Sequence, residues 1–212
     1  MYFGIGWHKT GTTSLTEAFK LLGMKARHHP FSMYREYKAG ATRFDAFEDN
    51  AFVCDAIVHV IYRELDRHYP GSKFIMTTRP LENWLESVKT HFQKGNAARD
   101  DLQGGTLWDH NNEARHVHGI HEMMYGRRTF NAAAMRDRYL QHEAGILAYF
   151  KDRADDLLVM DIENKESFNW ESLCDFIGMP VPDADFPHLR KSEEATRYFS
   201  LGKTEISAFI PR

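Results

Sequence analysis

The segment most clearly suited to chemistry lies almost at the start of the chain, where residues 4–15 read Gly-Ile-Gly-Trp-His-Lys-Thr-Gly-Thr-Thr-Ser-Leu. Gly6 and Gly11 have the separation of the glycines in a phosphate-binding loop of the form G-x-x-x-x-G-K-[ST]. Thr12, however, occupies the position of the lysine, and Lys9 lies inside the loop. A glycine-containing turn between a strand and a helix directs backbone N–H groups and the helix dipole at a bound anion. The loop is therefore predicted to bind a phosphate or sulfate group, with a geometry that differs from that of the common ATPases.

A second group of residues suited to anion binding follows a β-type run at 73–79. The run ends in Arg79, and Ser87 comes eight residues later within a stretch of helical periodicity. A guanidinium group donates several N–H bonds to phosphate oxygens, and a hydroxyl in the following helix donates another. The pair is therefore suited to hold a phosphate group.

Together the two segments resemble the donor site of the sulfotransferases that use PAPS, 3′-phosphoadenosine 5′-phosphosulfate. Lys-Thr-Gly-Thr-Thr-Ser at 9–14 resembles their 5′-phosphosulfate loop, and Arg79 and Ser87 have the separation of the pair that holds the 3′-phosphate in that family. Residues 186–191 are similar to a donor-side loop near the family's C-terminus. The resemblance implies PAPS as the co-substrate and a reaction that needs no metal. The donor-binding residues that it implies are Gly6, His8, Lys9, Thr10, Gly11, Thr12, Thr13, Ser14, Arg79, Ser87, Arg190 and Lys191.

The stretch 51–79 resembles a bacterial-type branch of the same superfamily, in which an aspartate follows the third strand. Asp55 holds that position, and Ile57 stands where the branch usually has proline. The resemblance implies in-line transfer of a sulfuryl group to a hydroxyl or amine of a small-molecule or glycan acceptor. A group that removes the acceptor's proton assists such a step, so Asp55 is the first candidate base and His59 the second. Lys9 is expected to stabilise the charge on the leaving phosphate.

Two of these residues also have a purely structural interpretation. Asp55 is suited to cap the N-terminus of a helix expected to begin near Ala56. His8 either assists Lys9 or packs beside it.

Short apolar runs alternate with stretches of helical periodicity along most of the chain. This alternation predicts βαβ units, a parallel sheet with helices on both faces, and ligand binding at the carboxyl ends of the strands. The predicted fold class is α/β, a three-layer αβα architecture of the P-loop NTPase type, in a single domain over residues 1–212. The predicted strands are 2–5, 24–28, 51–54, 73–78 and 157–162.

Residues 94–131 interrupt the alternation and form a predicted helical insert. A polar, glycine-containing loop is expected at 94–105, followed by helices at 108–125 and 131–150. One interpretation makes the insert a lid over the acceptor, since specificity elements tend to be loops and inserts on a rigid scaffold. The other makes it a helical flap that packs on the sheet without a substrate role.

The composition is that of a globular enzyme domain, since 42% of the residues are hydrophobic and 27% are charged. A net charge of −3 without a basic arm or stripe gives no support for nucleic-acid binding. No apolar run approaches the ~20 residues that span a bilayer, and the early first strand leaves no room for a signal peptide. Cys54 and Cys174 are expected to be buried thiols in a reducing compartment. These features predict a cytoplasmic protein without a membrane partner and leave the oligomeric state undetermined.

The sequence leaves two alternative functions and one histidine cluster to consider. Residues 157–161, Leu-Leu-Val-Met-Asp, resemble a Walker B strand that ends in a Mg²⁺-binding aspartate, so a small-molecule kinase that uses Mg-ATP is one alternative. A non-catalytic nucleotide-binding module that lacks the base is the other. His116, His118 and His121 lie close to Glu122 but do not form H-E-x-x-H, and no metal site is predicted there.

Overall fold

A five-stranded, all-parallel sheet forms the centre of the protein in a computed structural model that describes residues 1–55, 57–100 and 112–189. The strands are β1 (Tyr2–Gly4), β2 (Ala26–His28), β3 (Phe52–Cys54), β4 (Lys73–Thr78) and β5 (Leu157–Asp161). Their order across the sheet is β2-β3-β1-β4-β5, which places β1 between β3 and β4. All five lie within the predicted runs, so the predicted strands and the α/β fold class are confirmed.

Helices cover both faces of the sheet, as a parallel sheet requires. Within the described residues they are α1 (Thr12–Leu21), α2 (Phe31–Lys38), α3 (Asp45–Glu48), α4 (Tyr62–His68), α5 (Leu81–Asp100), α6 (Asn112–Tyr125), α7 (Ala132–Phe150) and α8 (Trp170–Ile177). The buried residues of α1 and α8 form a core with one face, and those of α2 to α7 form a core with the other. The arrangement is the predicted three-layer fold.

Side chains of the central strands alternate between these two cores, because successive residues of a strand point to opposite faces. Phe3, Val53 and Phe74 join the core of α2 to α7, whereas Phe52 and Ile75 join that of α1 and α8. All five are fully buried. Each apolar side chain of this size contributes about 1.5–3 kcal/mol when it is removed from water. The two cores thus fix the sheet, whose carboxyl edge carries the candidate residues.

The insert between β4 and β5 differs from the prediction at its start. Helix α5 continues to Asp100, so the loop predicted at 94–105 is wrong over 94–100, and residues 101–111 lie outside the described part of the chain. The earlier turns of α5 are anchored in the core by the buried side chains of Trp84 and Phe92. One glycine in a helix interior costs only about 1 kcal/mol, so an anchored helix continues through it.

The rest of the insert packs on the protein. Helix α6 buries Ile120 and Met124 in the core of α2 to α7. Helix α7 starts where predicted, and its N-cap Asn131 accepts a hydrogen bond from the N–H of Ala134 at 2.9 Å. The buried face of α6 agrees with the flap interpretation, and a contact of the insert with an acceptor stays a prediction.

Two predictions from composition concern membranes and cysteines. Among the described residues, no helix is long and apolar enough to cross a membrane. Cys54 and Cys174 are buried free thiols, as predicted.

Candidate functional site

The loop that joins β1 to α1 has the backbone shape of an anion-binding turn. Lys9 and Gly11 have φ values of 67° and 96°, which lie in the left-handed region. Left-handed residues in such a turn direct successive N–H groups toward one point. Helix α1 begins immediately afterwards at Thr12, and the positive end of its dipole lies there. The loop is therefore shaped to bind an anion with its main chain.

Gly6 allows this loop to pass directly over β4. A Cβ atom at position 6 would lie 2.3 Å from the carbonyl oxygen of Thr77, which is closer than non-bonded atoms approach. Just before it, Ile5 donates its N–H to the carbonyl oxygen of Ile75 at 2.8 Å. The spacing of Gly6 and Gly11 therefore reflects close packing against β4 as well as the shape of the turn.

Two hydroxyl groups of the loop are engaged by other protein groups. Thr10 is fully buried, and its hydroxyl bonds to the carbonyl oxygen of Trp7 and, at 2.7 Å, to the hydroxyl of Thr77. Ser14 is also fully buried, and its Oγ accepts a hydrogen bond from the N–H of Leu189 at 2.9 Å. These hydroxyls brace the loop, so a ligand would meet the backbone N–H groups of Thr10 and Ser14 rather than their side chains.

The bond between Ser14 and Leu189 also places the C-terminal segment. It brings the chain directly before Arg190 and Lys191 to the first turn of α1. Those two residues lie outside the described part of the chain, so their predicted donor contacts stay predictions.

The other two hydroxyls of the loop meet a histidine that sequence reasoning did not single out. The Oγ1 of Thr12 lies 3.1 Å from Nε2 of His28, and the Oγ1 of Thr13 lies 3.4 Å from the same nitrogen. His28 is the last residue of β2. The loop after β1 and the end of β2 therefore converge on one imidazole.

Asp55 lies between two histidines at the carboxyl ends of β2 and β3. Its Oδ2 is 3.1 Å from Nε2 of His28, and its Oδ1 is 3.2 Å from Nδ1 of His29. These residues meet because β2 and β3 pair in parallel with His28 opposite Cys54. The Oδ2 atom also accepts a hydrogen bond from the hydroxyl of Thr12 at 3.5 Å. We call Asp55, His28 and His29 the Asp55 cluster.

The cluster keeps Asp55 ionised. Burial alone would raise the pKa of Asp55, but hydrogen bonds and charge interactions with His28 and His29 outweigh burial and hold that pKa well below its usual range. An ionised carboxylate that accepts the Nδ1–H of an imidazole orients the ring. The arrangement at His29 has this geometry.

The interpretation of Asp55 as a helix cap is wrong. Helix α4 begins only at Tyr62, with Ile61 as its N-cap, and residues 57–60 form turns. A left-handed φ of 68° at Asp55 turns the chain away from a helical path immediately after β3.

His59 lies in one of these turns and is completely enclosed. Its ring centroid is 5.1 Å from that of Trp7 and 5.9 Å from that of His142. Within the described parts of the chain, neither ring nitrogen of His59 has a hydrogen-bond partner. Burial, followed by the charge of His142, lowers the pKa of His59 to about 3. The imidazole is therefore neutral at ordinary pH and surrounded by rings.

His8 is held by the insert. Its Nε2 is hydrogen-bonded to the hydroxyl of Tyr125, and its carbonyl oxygen accepts the Nε1–H of Trp84 at 3.0 Å. Burial, followed by the charge of His91, lowers the pKa of His8 well below its usual value. These contacts agree with a packing role, and assistance to Lys9 stays a prediction.

Arg79 lies where β4 meets α5 and is ordered by protein contacts. Its Nε–H donates to Oε1 of Glu163 at 2.7 Å, and the side-chain amide of Asn83 donates to Oε2 of the same carboxylate at 2.6 Å. The hydroxyl of Tyr139 donates to the carbonyl oxygen of Arg79 at 2.7 Å and accepts from its N–H at 3.0 Å. Ser87 is half-buried on α5, one turn after Asn83 and therefore on the same helix face.

Asp161, the Mg²⁺ ligand that the kinase alternative requires, lies at the end of β5, which is not a neighbour of β1, the strand that leads into the phosphate loop. Strand β5 pairs with β4, so β4 separates it from β1. The Oδ1 of Asp161 accepts the N–H of Glu163 at 2.9 Å. No group of three or more His, Cys, Asp or Glu side chains in the described chain could hold a metal ion, and the side chains of His116 and His118 lie outside that set. The position of Asp161 gives the kinase alternative no support.

Sequence reasoning missed four residues of this site. His28 and His29 left a usable signal, because two consecutive histidines end a predicted strand. Glu163 and Tyr139 reach Arg79 from 84 and 60 residues away, and only the folded chain reveals those contacts.

Comparison with known proteins identifies the same family as the motifs do. A model of the sulfotransferase domain matches residues 2–195. The Ava biosynthesis cluster protein M of Aspergillus versicolor is 27% identical over an alignment 225 positions long, which includes 91% of this chain and 82% of that protein. The resemblance carried by the loop and by Arg79 is thereby confirmed. The chain belongs to the sulfotransferase domain family.

Proposed function

We propose that this protein transfers a sulfuryl group from PAPS to a hydroxyl or amine of a small-molecule or glycan acceptor. The observation that carries the proposal is the pairing of β1 with β4, because the phosphate loop follows one strand and Arg79 follows the other. The carboxyl ends of neighbouring parallel strands lie at one edge of a sheet, so both anion-binding elements face a common ligand. PAPS carries two anionic groups, a 5′-phosphosulfate and a 3′-phosphate.

The loop is the proposed site of the 5′-phosphosulfate. Its donors are the backbone N–H groups of residues 9–14, the ammonium of Lys9 and the hydroxyls of Thr12 and Thr13. Such groups bind phosphate and sulfate oxygens, so the residues present fit the donor. The 3′-phosphate is assigned to Arg79 and Ser87. Glu163 holds the guanidinium of Arg79 through its Nε–H, and the hydroxyl of Tyr139 fixes the main chain of Arg79.

The transfer step is an in-line displacement at sulfur. The acceptor oxygen or nitrogen forms a bond to sulfur while the bond from sulfur to the bridging phosphate oxygen breaks. The electron pair of the broken bond stays on that oxygen, and PAP (adenosine 3′,5′-bisphosphate) leaves. Lys9 and the loop N–H groups stabilise the charge that develops there.

The Asp55 cluster is the proposed acceptor of the proton. Asp55 is ionised, and its partner His28 touches the hydroxyls of Thr12 and Thr13, so the cluster adjoins the donor loop. An imidazole nitrogen of the cluster lies within hydrogen-bond distance of each carboxylate oxygen, at 3.1 Å for His28 and 3.2 Å for His29, so a proton taken by the carboxylate has a neighbouring group to which it can pass. His59, the second candidate, is enclosed by rings and less suited to meet an acceptor.

A cavity of about 210 Å³ adjoins the loop and supports a small acceptor. It lies between α4, α6 and α7 and is lined by Trp7, Tyr62, Met123, Arg138 and His142, among others. Pockets that combine aromatic and apolar walls with a few polar groups are typical of small-molecule sites. We assign this cavity to a part of the acceptor away from the group that is sulfated, because Asp55, His28 and His29 are not among the residues that line it.

The test begins with titration calorimetry of PAP without metal, and of ATP with Mg²⁺, on the wild type and on Arg79→Ala. We expect the wild type to bind PAP tightly without a metal and Arg79→Ala to lose most of that affinity. Arg136→Ala is the matched control, because Arg136 also pairs with a carboxylate, that of Glu82, on the protein surface.

An acceptor screen with PAPS then tests turnover. A sulfated product would establish the activity. A preference for Mg-ATP over PAP would contradict the proposal and favour a kinase. Tight PAP binding with no product from any acceptor would favour the non-catalytic module.

A further inference from the structure

The carboxylate of Glu163 holds two side chains of the proposed 3′-phosphate site at once. Its Oε1 accepts the Nε–H of Arg79 at 2.7 Å, and its Oε2 accepts the side-chain amide of Asn83 at 2.6 Å. Its own N–H is fixed by the carboxylate of Asp161 at 2.9 Å, directly after β5. The carboxylate therefore connects the end of β5 to the end of β4 and the first turn of α5.

We infer that Glu163 is a positioning residue for donor binding, which orders Arg79 to receive the 3′-phosphate. The inference rests on the proposed function, in which Arg79 binds that phosphate.

The geometry of the guanidinium supports this role. A guanidinium has one Nε–H and two terminal NH₂ groups, and the Glu163 carboxylate takes the Nε–H. Within the described parts of the chain, neither terminal nitrogen of Arg79 bonds to a protein group. The hydroxyl of Tyr139 fixes both the N–H and the carbonyl oxygen of the same residue. Arg79 is thus held by its main chain and by Nε, while its terminal nitrogens remain for a ligand.

Positioning and charge act in opposite directions here. An ordered arginine loses less side-chain freedom when a phosphate binds, which favours binding. The negative charge of Glu163 opposes a phosphate nearby. The two side chains are 27% and 33% exposed, so water and salt screen the repulsion. We therefore expect the effect of ordering to be the larger one, so that loss of Glu163 weakens PAP binding about two- to tenfold.

The experiment compares PAP with adenosine 5′-phosphate, which lacks the 3′-phosphate. Glu163→Ala should raise the Kd of PAP and leave that of adenosine 5′-phosphate unchanged. In an Arg79→Ala background, Glu163→Ala should have no further effect. Glu166→Ala is the control, because Glu166 lies in the same segment with an exposed side chain.

A purely structural role for Glu163 predicts a different result, namely an equal loss of affinity for both nucleotides. That outcome would overturn the inference. PAP binding that is unchanged or tighter in Glu163→Ala would also overturn it, as would a full effect of Glu163→Ala in the Arg79→Ala background. If Glu163→Ala does not fold, Asn83→Ala takes its place in the test. Asn83 is exposed, and the variant removes one of the hydrogen bonds to the Glu163 carboxylate. It should cause a smaller loss of affinity for PAP and none for adenosine 5′-phosphate. A wild type that does not prefer PAP over adenosine 5′-phosphate would contradict the role of Arg79 itself.

Discussion

The hydroxyl of Ser14, in the first turn of α1, accepts a hydrogen bond from the N–H of Leu189, 175 residues further along the chain. The bond is 2.9 Å long, and Ser14 is fully buried. It fastens the segment that resembles the donor-side loop of the family to the predicted phosphate loop. The side chain of Ser14, a predicted donor-binding residue, thus holds the chain just before Arg190 and Lys191, which leaves the backbone N–H of Ser14 to face a ligand.

Ser14→Ala should therefore weaken PAP binding. The variant removes the partner of the Leu189 N–H, a bond worth about 0.5–1.5 kcal/mol, and so we expect a loss of about two- to tenfold in PAP affinity. Titration calorimetry measures it. In an Arg190→Ala/Lys191→Ala background the added loss should be small. Ser172→Ala, on α8, is the control, and PAP affinity equal to wild type in Ser14→Ala would show that the bond does not serve the donor site.

Asp55→Asn should separate proton transfer from donor binding. The amide cannot accept the acceptor's proton, so we expect turnover to fall about 10²–10⁴-fold. PAP affinity should change little, because the proposed donor contacts are made by other residues. Single-turnover kinetics with PAPS and calorimetry with PAP check the two parts. Asp49→Asn, at an exposed aspartate, is the control.

Full activity in Asp55→Asn would show that the carboxylate is not needed. His59→Ala would then test the second candidate. His28→Asn and His29→Asn address the rest of the cluster, and whichever variant loses turnover with PAP affinity intact identifies the imidazole that carries the proton.

The sequence predicts those features that depend on local pattern. Apolar runs and the loop around Lys9 mark the strands and the first βα turn, because strand period and turn chemistry are encoded within a few residues. Arg79 is found in the same way, from a strand end and a following helix. Local pattern is also the source of the wrong loop prediction at 94–100. Gly95 and the polar residues around it suggest a loop, but helix α5, anchored in the core by its earlier turns, continues through them.

Contacts between distant segments do not follow from local pattern. The resemblance to the bacterial-type branch points to Asp55 after the third strand, but the pairing of Asp55 with His28 and His29 depends on β2 being the neighbour of β3. The enclosure of His59 depends on α7, which brings His142 against it. Such features require the strand order and the packing of the helices, neither of which is encoded in a short window.

Gly6→Ala should disrupt the loop far more than Gly23→Ala does. A Cβ at position 6 would lie 2.3 Å from a backbone oxygen of Thr77, whereas at position 23 it would meet nothing within 4 Å. Gly23 has a φ of 76°, so alanine there costs about 1 kcal/mol from backbone strain alone. Thermal unfolding should show a drop in Tm of about 2–4 °C for Gly23→Ala and a much larger drop, or loss of soluble protein, for Gly6→Ala. Similar drops in the two variants would mean that the loop tolerates movement away from β4.

Buried histidines should make the protein unstable in acid. The pKa values of His8, His59 and His142 are lowered, to about 3 for His59 and about 4 for His142, with burial as the largest cause in each case. Below pH ~6.5 the unfolded chain binds protons at these residues and the folded chain does not. Stability therefore falls as the pH drops from about 6.5 toward 4, by up to ~1.4 kcal/mol per pH unit for each histidine. Urea unfolding at a series of pH values measures this slope.

His59→Leu isolates one of these groups. Neither nitrogen of His59 has a hydrogen-bond partner in the described chain, so an apolar side chain removes a desolvation cost and should leave stability at pH 7 equal or higher. Between pH 6 and pH 4, the slope of the free energy of unfolding against pH should decrease by the amount that corresponds to about one bound proton. His68→Leu, at an exposed histidine, should leave the slope close to that of the wild type. If His59→Leu keeps the wild-type slope, His59 is protonated in the folded protein, and its enclosure does not keep it neutral. If His59→Leu preserves stability but abolishes turnover, then His59, and not the Asp55 cluster, takes the acceptor's proton.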